Sequence, residues 1–229
     1  TRIVARQIES VLEALYSTPA GKNTIVIVLA DHGDGMGSHR MVTKQVSFYE
    51  EMTNVPFIIA GPGIHPRQKP VEDLLTQPTI DLLPTLCELA GIPVPSSKPG
   101  ISLAPFLKGE KQKRQHLYAA SEWHSEYEVT VSPGRMIRSP RYKYTHYLEG
   151  NGEELYDMLK DKGERRNLAH DPKYSKILAE HRALLDDYIR RTQDDYRSLK
   201  VEADKRWRSH VPGYPNHEGP CARDIINRK

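Results

Sequence analysis

Five consecutive apolar residues, Ile25, Val26, Ile27, Val28 and Leu29, four of them β-branched, run up to a polar stretch that begins Asp31, His32, Gly33, Asp34, Gly35. An unbroken apolar run of this length reads as a strand buried on both faces, as in a parallel sheet. Ligands of open α/β sheets sit beyond the carboxyl ends of strands, so Asp31 and His32 are well placed for a metal or a substrate. Gly33, Gly35 and Gly37 let the backbone turn sharply and come close to whatever is bound. A second apolar run, residues 55–60, follows after Lys44, Tyr49, Glu50 and Glu51. Upstream, Val4, Ile8, Val11, Leu12 and Leu15 recur with helical spacing and mark one face of an amphipathic helix that Pro19 and Gly21 bring to an end. Helix then strand is half of an α/β unit, and no earlier strand completes the crossover. The pattern therefore predicts that more chain precedes residue 1.

Downstream, residues 79–90 have helical periodicity up to Gly91, with Pro84 inside predicting a kink or a late start. From His116 the rhythm shortens. Residues 116–121, 134–138, 142–147 and 154–157 read as strands of a small antiparallel sheet, separated by Pro133-Gly134, Ser139-Pro140 and Gly150-Asn151-Gly152. Asp171 and Pro172 suit an N-cap and a first helical position, and Ile177, Leu178, His181, Leu184, Leu185 and Tyr188 form a helix face to cover that sheet. Three segments result: an α/β portion over residues 1–110, an antiparallel subdomain with its helix over 111–200, and an extended tail over 201–229.

The charge balance excludes little. A net charge of +3 is too mild to indicate nucleic acid and is compatible with an anionic substrate. No apolar run reaches the length of a membrane span. The N-terminal residues lack the apolar core of a signal peptide. Cys87 and Cys221 form neither a disulfide framework nor a metal motif.

The ordered set Asp31-His32-Gly33-x-x-x-Gly37-x-His39, Lys44, Tyr49-Glu50, Val55-Pro56 and Gly61-Pro62-Gly63 resembles the type I sulfatases of the alkaline phosphatase superfamily. Three further segments add to the resemblance. They are Asp81-x-x-Pro84-Thr85 with Gly91, Gly100-x-Ser102-Leu103, and Leu155-Tyr156-Asp157 with Asp161, Glu164, Asn167 and Leu168. In the last, Lys162-Gly163 replaces the family's usual proline. The resemblance covers about residues 5–190 and implies the C-terminal half of such an enzyme. The implied fold is the C-terminal part of an alkaline-phosphatase-like α/β sandwich, followed by a small antiparallel sheet packed on a C-terminal helix.

The same resemblance implies a division of labour. Asp31 and His32 are the metal ligands: a carboxylate suits calcium, whereas imidazole suits zinc or manganese, and the family favours calcium. Lys44 is the catalytic lysine, binding a sulfate oxygen and the bridging oxygen on which charge grows as the bond breaks. His39 contacts the substrate, and His124, beside Trp123, binds sugar. Read singly, each has a plainer account: a capping Asp, a turn His, a solvated Lys, a buried Trp beside a satisfied His. The formylglycine nucleophile of sulfatases arises in a C/S-x-P-x-R signature that these 229 residues lack, and is expected in an N-terminal half. The implied parent hydrolyses sulfate esters or sulfamates, with sulfated glycans, glycosaminoglycan fragments among them, as substrates. It works in a periplasmic, secreted or lysosomal setting, with the N-terminal half as this chain's partner. Alternatives are a phosphodiesterase or phosphonate monoester hydrolase of the same superfamily, and a non-catalytic binding or structural module.

Overall fold

The computed structural model describes residues 2–41, 47–72, 74–96, 99–112, 115–123, 133–148 and 152–199. These fall into two compact units, one of Thr1–Asp31 with Pro56–His116, the other of His32–Val55 with Leu117–Lys229. The stretch from His32 to Val55 thus groups with the antiparallel subdomain.

In the first unit, helix α1 spans Arg2–Tyr16 and strand β1 spans Val26–Leu29. Strand β2, Phe57–Ala60, pairs antiparallel with β1 in a two-stranded sheet, with Val28 opposite Ile58. The expectation of a parallel neighbour for β1 is thus not met by β2, which pairs with it antiparallel on one edge. Described residues leave the ribbon's faces partly open: Leu29 is 40% and Ile58 57% exposed. An apolar run reports that a strand can be buried, and not which strand will lie beside it. Helix α1 forms where periodicity places it, but none of its residues is buried.

Helix α3, Pro78–Ala90, begins one residue before the periodic stretch and runs through Pro84. A proline denies a donor to the carbonyl four residues earlier, here Ile80. Gly100 closes directly on that carbonyl: a Cβ at Gly100 would lie 2.0 Å from Ile80 O, and its φ of +113° suits glycine. Around this contact the two sequence motifs interlock. The fully buried Asp81 carboxylate accepts from Gln77 N (2.7 Å) and Ile101 N (2.8 Å) and lies 2.8 Å from His116 Nε2. Thr85 Oγ1 donates to Asp81 O and accepts from Leu103 N. The pattern Asp-x-x-Pro-Thr with Gly-x-Ser-Leu is therefore a joint between α3 and the turn leading into the short helix α4, Ala104–Leu107.

The second unit carries the expected antiparallel sheet, in order β3 (Ala119–Trp123), β4 (Gly134–Arg138), β5 (Tyr142–Tyr147), β6 (Glu153–Asp157). Its register sorts the side chains into two faces. Ile137, Tyr144 and Leu155 align across β4, β5 and β6 and are sealed by helix α5 (Ser175–Thr192) through Leu178 and Leu185. Asp171 caps the single 3-10 turn that precedes α5, accepting from Lys173 N at 3.1 Å. On the other face lie Trp123, Met136 and Tyr147 with Phe48, and beside them the row Arg138, Lys143, Tyr156. The segment around the short helix α2, Glu50–Thr53, packs on this second face. Among the described residues no helix is long and apolar enough to cross a membrane.

Candidate active-site loop

The loop from His32 to Met41 is compressed to a degree that only its glycines permit. Gly33 N donates to Met52 O at 2.9 Å, and a Cβ at Gly33 would lie 1.7 Å from Glu51 O. At Gly35 a Cβ would meet the Met41 side chain at 2.5 Å. Three non-glycine residues, Met36, His39 and Arg40, take left-handed backbone conformations (φ 46°, 49° and 62°). Such strain persists only where surroundings over-determine it, and it gathers at functional sites.

What over-determines it is visible at His39. Its ring stacks on Tyr49 with centroids 3.7 Å apart and planes 2° apart. His39 Nε2 lies 3.8 Å from Glu51 Oε2, and Ser38 Oγ donates to the other oxygen of that carboxylate. Burial tends to raise the Glu51 carboxyl, but the Ser38 hydrogen bond and the charges of His39 and Lys143 outweigh it and hold Glu51 below the usual glutamate range. An anionic Glu51 therefore faces the imidazole.

Tyr49 and Glu50 are in turn bolted to the sheet. Lys143, 1% exposed, donates to Phe48 O (2.9 Å) and pairs with Glu50 (2.7 Å) and Glu164 (2.9 Å). Glu164 also accepts from Glu50 N at 2.7 Å, across 114 residues of sequence. Burial raises the Glu164 carboxyl against the opposing pull of Lys143. The Tyr-Glu motif near residue 50 and the Asp-x-x-Glu motif near residue 164 thus meet at one lysine. Glu50 is thus held by Lys143 and Glu164 in a structural network.

The other predicted residues stand as follows. Asp31 is exposed, at the end of the first unit's ribbon. His32 is exposed, at the start of the second unit's loop, and its Nδ1 lies 2.7 Å from Gly33 O. A carbonyl only accepts, so Nδ1 carries the hydrogen of that contact. Lys44 and His124 lie outside the described residues. Trp123 packs against the cluster of Phe48, Met136 and Tyr147. Among the described residues no three His, Cys, Asp or Glu side chains come together as a metal site. By donor type, a carboxylate and an imidazole, Asp31 and His32 fit a divalent cation.

Sequence reasoning missed Ser38 and Glu51 as partners of His39, and Lys143 as the anchor. Glu51 sits in the quoted run Tyr49-Glu50-Glu51, but Lys143 looks like one more position in an alternating strand.

The family described as N-sulphoglucosamine sulphohydrolase, C-terminal, matches residues 37–191. The chain belongs to that sulfatase family. It is 75% identical over 229 residues to a Δ4,5-hexuronate-2-O-sulfatase of Bacteroides thetaiotaomicron, covering 100% of this chain and 48% of that protein. A solved structure of a 2-O GAG sulfatase superposes with a TM-score of 0.86 at 76% identity, covering 97% of this chain and 48% of the other. A protein solved in complex with its substrate, D-glucosamine-2-N,6-O-disulfate, superposes with a TM-score of 0.73 at 25% identity, over 85% of this chain and 40% of its own. The chain spans about half the length of these relatives. Its relationship to the C-terminal half of a sulfatase, and its place in the alkaline-phosphatase-like α/β fold, agree with the sequence resemblance.

Proposed function

We propose that the full-length protein hydrolyses the 2-O-sulfate ester of hexuronate units in glycosaminoglycan-derived oligosaccharides. The observation that carries this reading is the 75% identity over the whole chain to a hexuronate-2-O-sulfatase. The loop geometry supports it. His39, held in a left-handed backbone by Tyr49 and Glu51, is pre-set to meet an anionic group, and pre-setting reduces the reorganisation that the reaction would otherwise require. Lys44 serves as the cation beside the bridging oxygen, where negative charge develops as the S–O bond breaks. His124 contacts the sugar. Asp31 and His32 would hold a divalent cation, calcium by family resemblance, which when bound polarises the sulfate group. The nucleophile, a formylglycine by the same resemblance, belongs to the part of the longer protein that this chain does not span.

The test uses the whole protein with its nucleophile matured. It should release sulfate from an unsaturated 2-O-sulfated uronate disaccharide and leave a 6-O-sulfated glucosamine unchanged. Lys44→Ala should lower kcat by about a hundredfold or more. Faster turnover of an aryl phosphate diester than of any sulfate ester would replace this reading with the phosphodiesterase or phosphonate hydrolase alternative.

A further inference from the structure

Lys143 and Tyr156 stand directly opposite each other across β5 and β6. From there they grip the same residue, Tyr49. Lys143 Nζ donates to Phe48 O at 2.9 Å and pairs with Glu50 at 2.7 Å, the neighbours of Tyr49 on either side. Glu164 secures Glu50 N. Tyr156, 4% exposed, meets the Tyr49 ring with centroids 6.3 Å apart and planes tilted by 55°. Its hydroxyl is hydrogen-bonded to Tyr49 and is pushed above the ordinary tyrosine value, by burial first and then by Glu154 and Tyr49, so it stays protonated. The Tyr49 ring in turn carries His39 on its face, parallel to it at 3.7 Å. One strand therefore holds the backbone around Tyr49, the next holds its ring, and the imidazole takes its seat on that ring.

We infer that Tyr156 is a positioning residue for the substrate-contacting imidazole of His39, acting through the Tyr49 ring. The role rests on the proposed function for His39's contact with substrate, and on the sheet register for everything behind it. Contacts between aromatic rings depend on their offset and tilt, so a Tyr49 ring released at its hydroxyl slides, and the imidazole slides with it. A binding group displaced in this way meets its anion less well before and during the reaction alike, which weakens binding more than the chemical step. The Leu155-Tyr156-Asp157 motif, remote from His39 in sequence, gains by this route a part in substrate binding.

The experiment compares Tyr156→Phe with Tyr144→Phe in the full-length protein. Each removes one buried hydroxyl from the same sheet, but that of Tyr144 donates to Glu153 Oε1 at 2.5 Å on the opposite face, under α5. Tyr156→Phe should raise KM for an unsaturated 2-O-sulfated uronate disaccharide about threefold, with kcat less affected, and should add nothing to the KM of His39→Ala. Tyr144→Phe should lower the thermal midpoint and leave KM unchanged. A second measurement needs no turnover. With isotope-labelled histidine, the His39 ring resonance, recognised by its loss in His39→Ala, should shift in Tyr156→Phe and stay in place in Tyr144→Phe, because an aromatic ring 3.7 Å away shields what lies over it. An unmoved resonance in Tyr156→Phe overturns the inference, as does a KM rise that persists on top of His39→Ala. A parent that releases no sulfate, yet shows the shift, would sink the proposed activity and leave the positioning role standing.

Discussion

At the scale of single residues, the candidate site depends on close approaches that tolerate no added atom. Gly33→Ala would drive a Cβ to 1.7 Å from the Glu51 carbonyl, a contact that only a backbone shift can relieve. That shift would move Glu51 away from His39. In the full-length protein, sulfatase activity should fall by more than tenfold, and the thermal midpoint should drop; wild-type values for both would mean the loop does not need this approach. Glu51→Gln keeps an acceptor for Ser38 but removes the charge facing His39. The expected effect is a KM about fivefold higher with kcat less affected, corresponding to about 1 kcal/mol for a partly solvated charged contact. A change confined to kcat would place Glu51 in the chemical step instead. Glu51 does not stand out in the sequence as His39's partner, because the contact joins positions whose spacing no periodicity records.

Among the elements, buried charge decides more than propensity. Lys143 on β5 neutralises Glu50 and Glu164 at once, and truncating a buried pair leaves uncompensated charge. Lys143→Met should therefore cost about 3–5 kcal/mol in denaturant unfolding of the full-length protein; a loss below about 1 kcal/mol would show the network to be marginal. Helix α5 supplies a pH dependence. His181 is buried beneath it, with Nδ1 2.8 Å from Ile177 O and Nε2 2.9 Å from Ser139 Oγ, and His146 on β5 lies 2.6 Å from Tyr196 Oη. Burial lowers both below the ordinary histidine value, with Glu180 opposing at His181 and Glu153 at His146. The unfolded chain then takes up protons that the folded one resists. The stability these residues contribute is complete above about pH 6.5 and is lost as pH falls through the depressed folded values. Thermal midpoints should fall from pH 7.5 to 5, and His181→Gln should flatten the slope; a midpoint that stays level in the parent would contradict the assignment.

At the scale of the 229-residue chain taken by itself, the first unit leaves apolar surface open. Helix α1 shows Ile3, Val4 and Val11 at 75%, 56% and 67% exposure, with Ile58 of the ribbon at 57%. Patches of this kind drive association. Produced by itself, the 229-residue chain should self-associate in light scattering, whereas a monodisperse monomer at high concentration would show these surfaces to be harmless. On the proposed assignment of Asp31 and His32 as ligands, it should also bind calcium weakly, since two ligands are offered where calcium takes six to eight. A micromolar affinity in calorimetry would require ligands this chain does not bring together among its described residues.

What the sequence determined by itself was whatever repeats locally or is carried by an ordered motif. The face of α5 with Leu178 and Leu185, the alternation of β4 to β6, the strained glycine turn and the membership of the sulfatase family were legible in this way. Tertiary structure alone decided that β1 and β2 run antiparallel and that His32–Val55 joins the C-terminal subdomain. It also decided that Lys143 would gather two motif glutamates 114 residues apart. Periodicity reports which side of an element is apolar, because that depends on neighbours within a turn or two. Charge pairing across a hundred residues depends on strand register, and register is fixed only when the sheet closes.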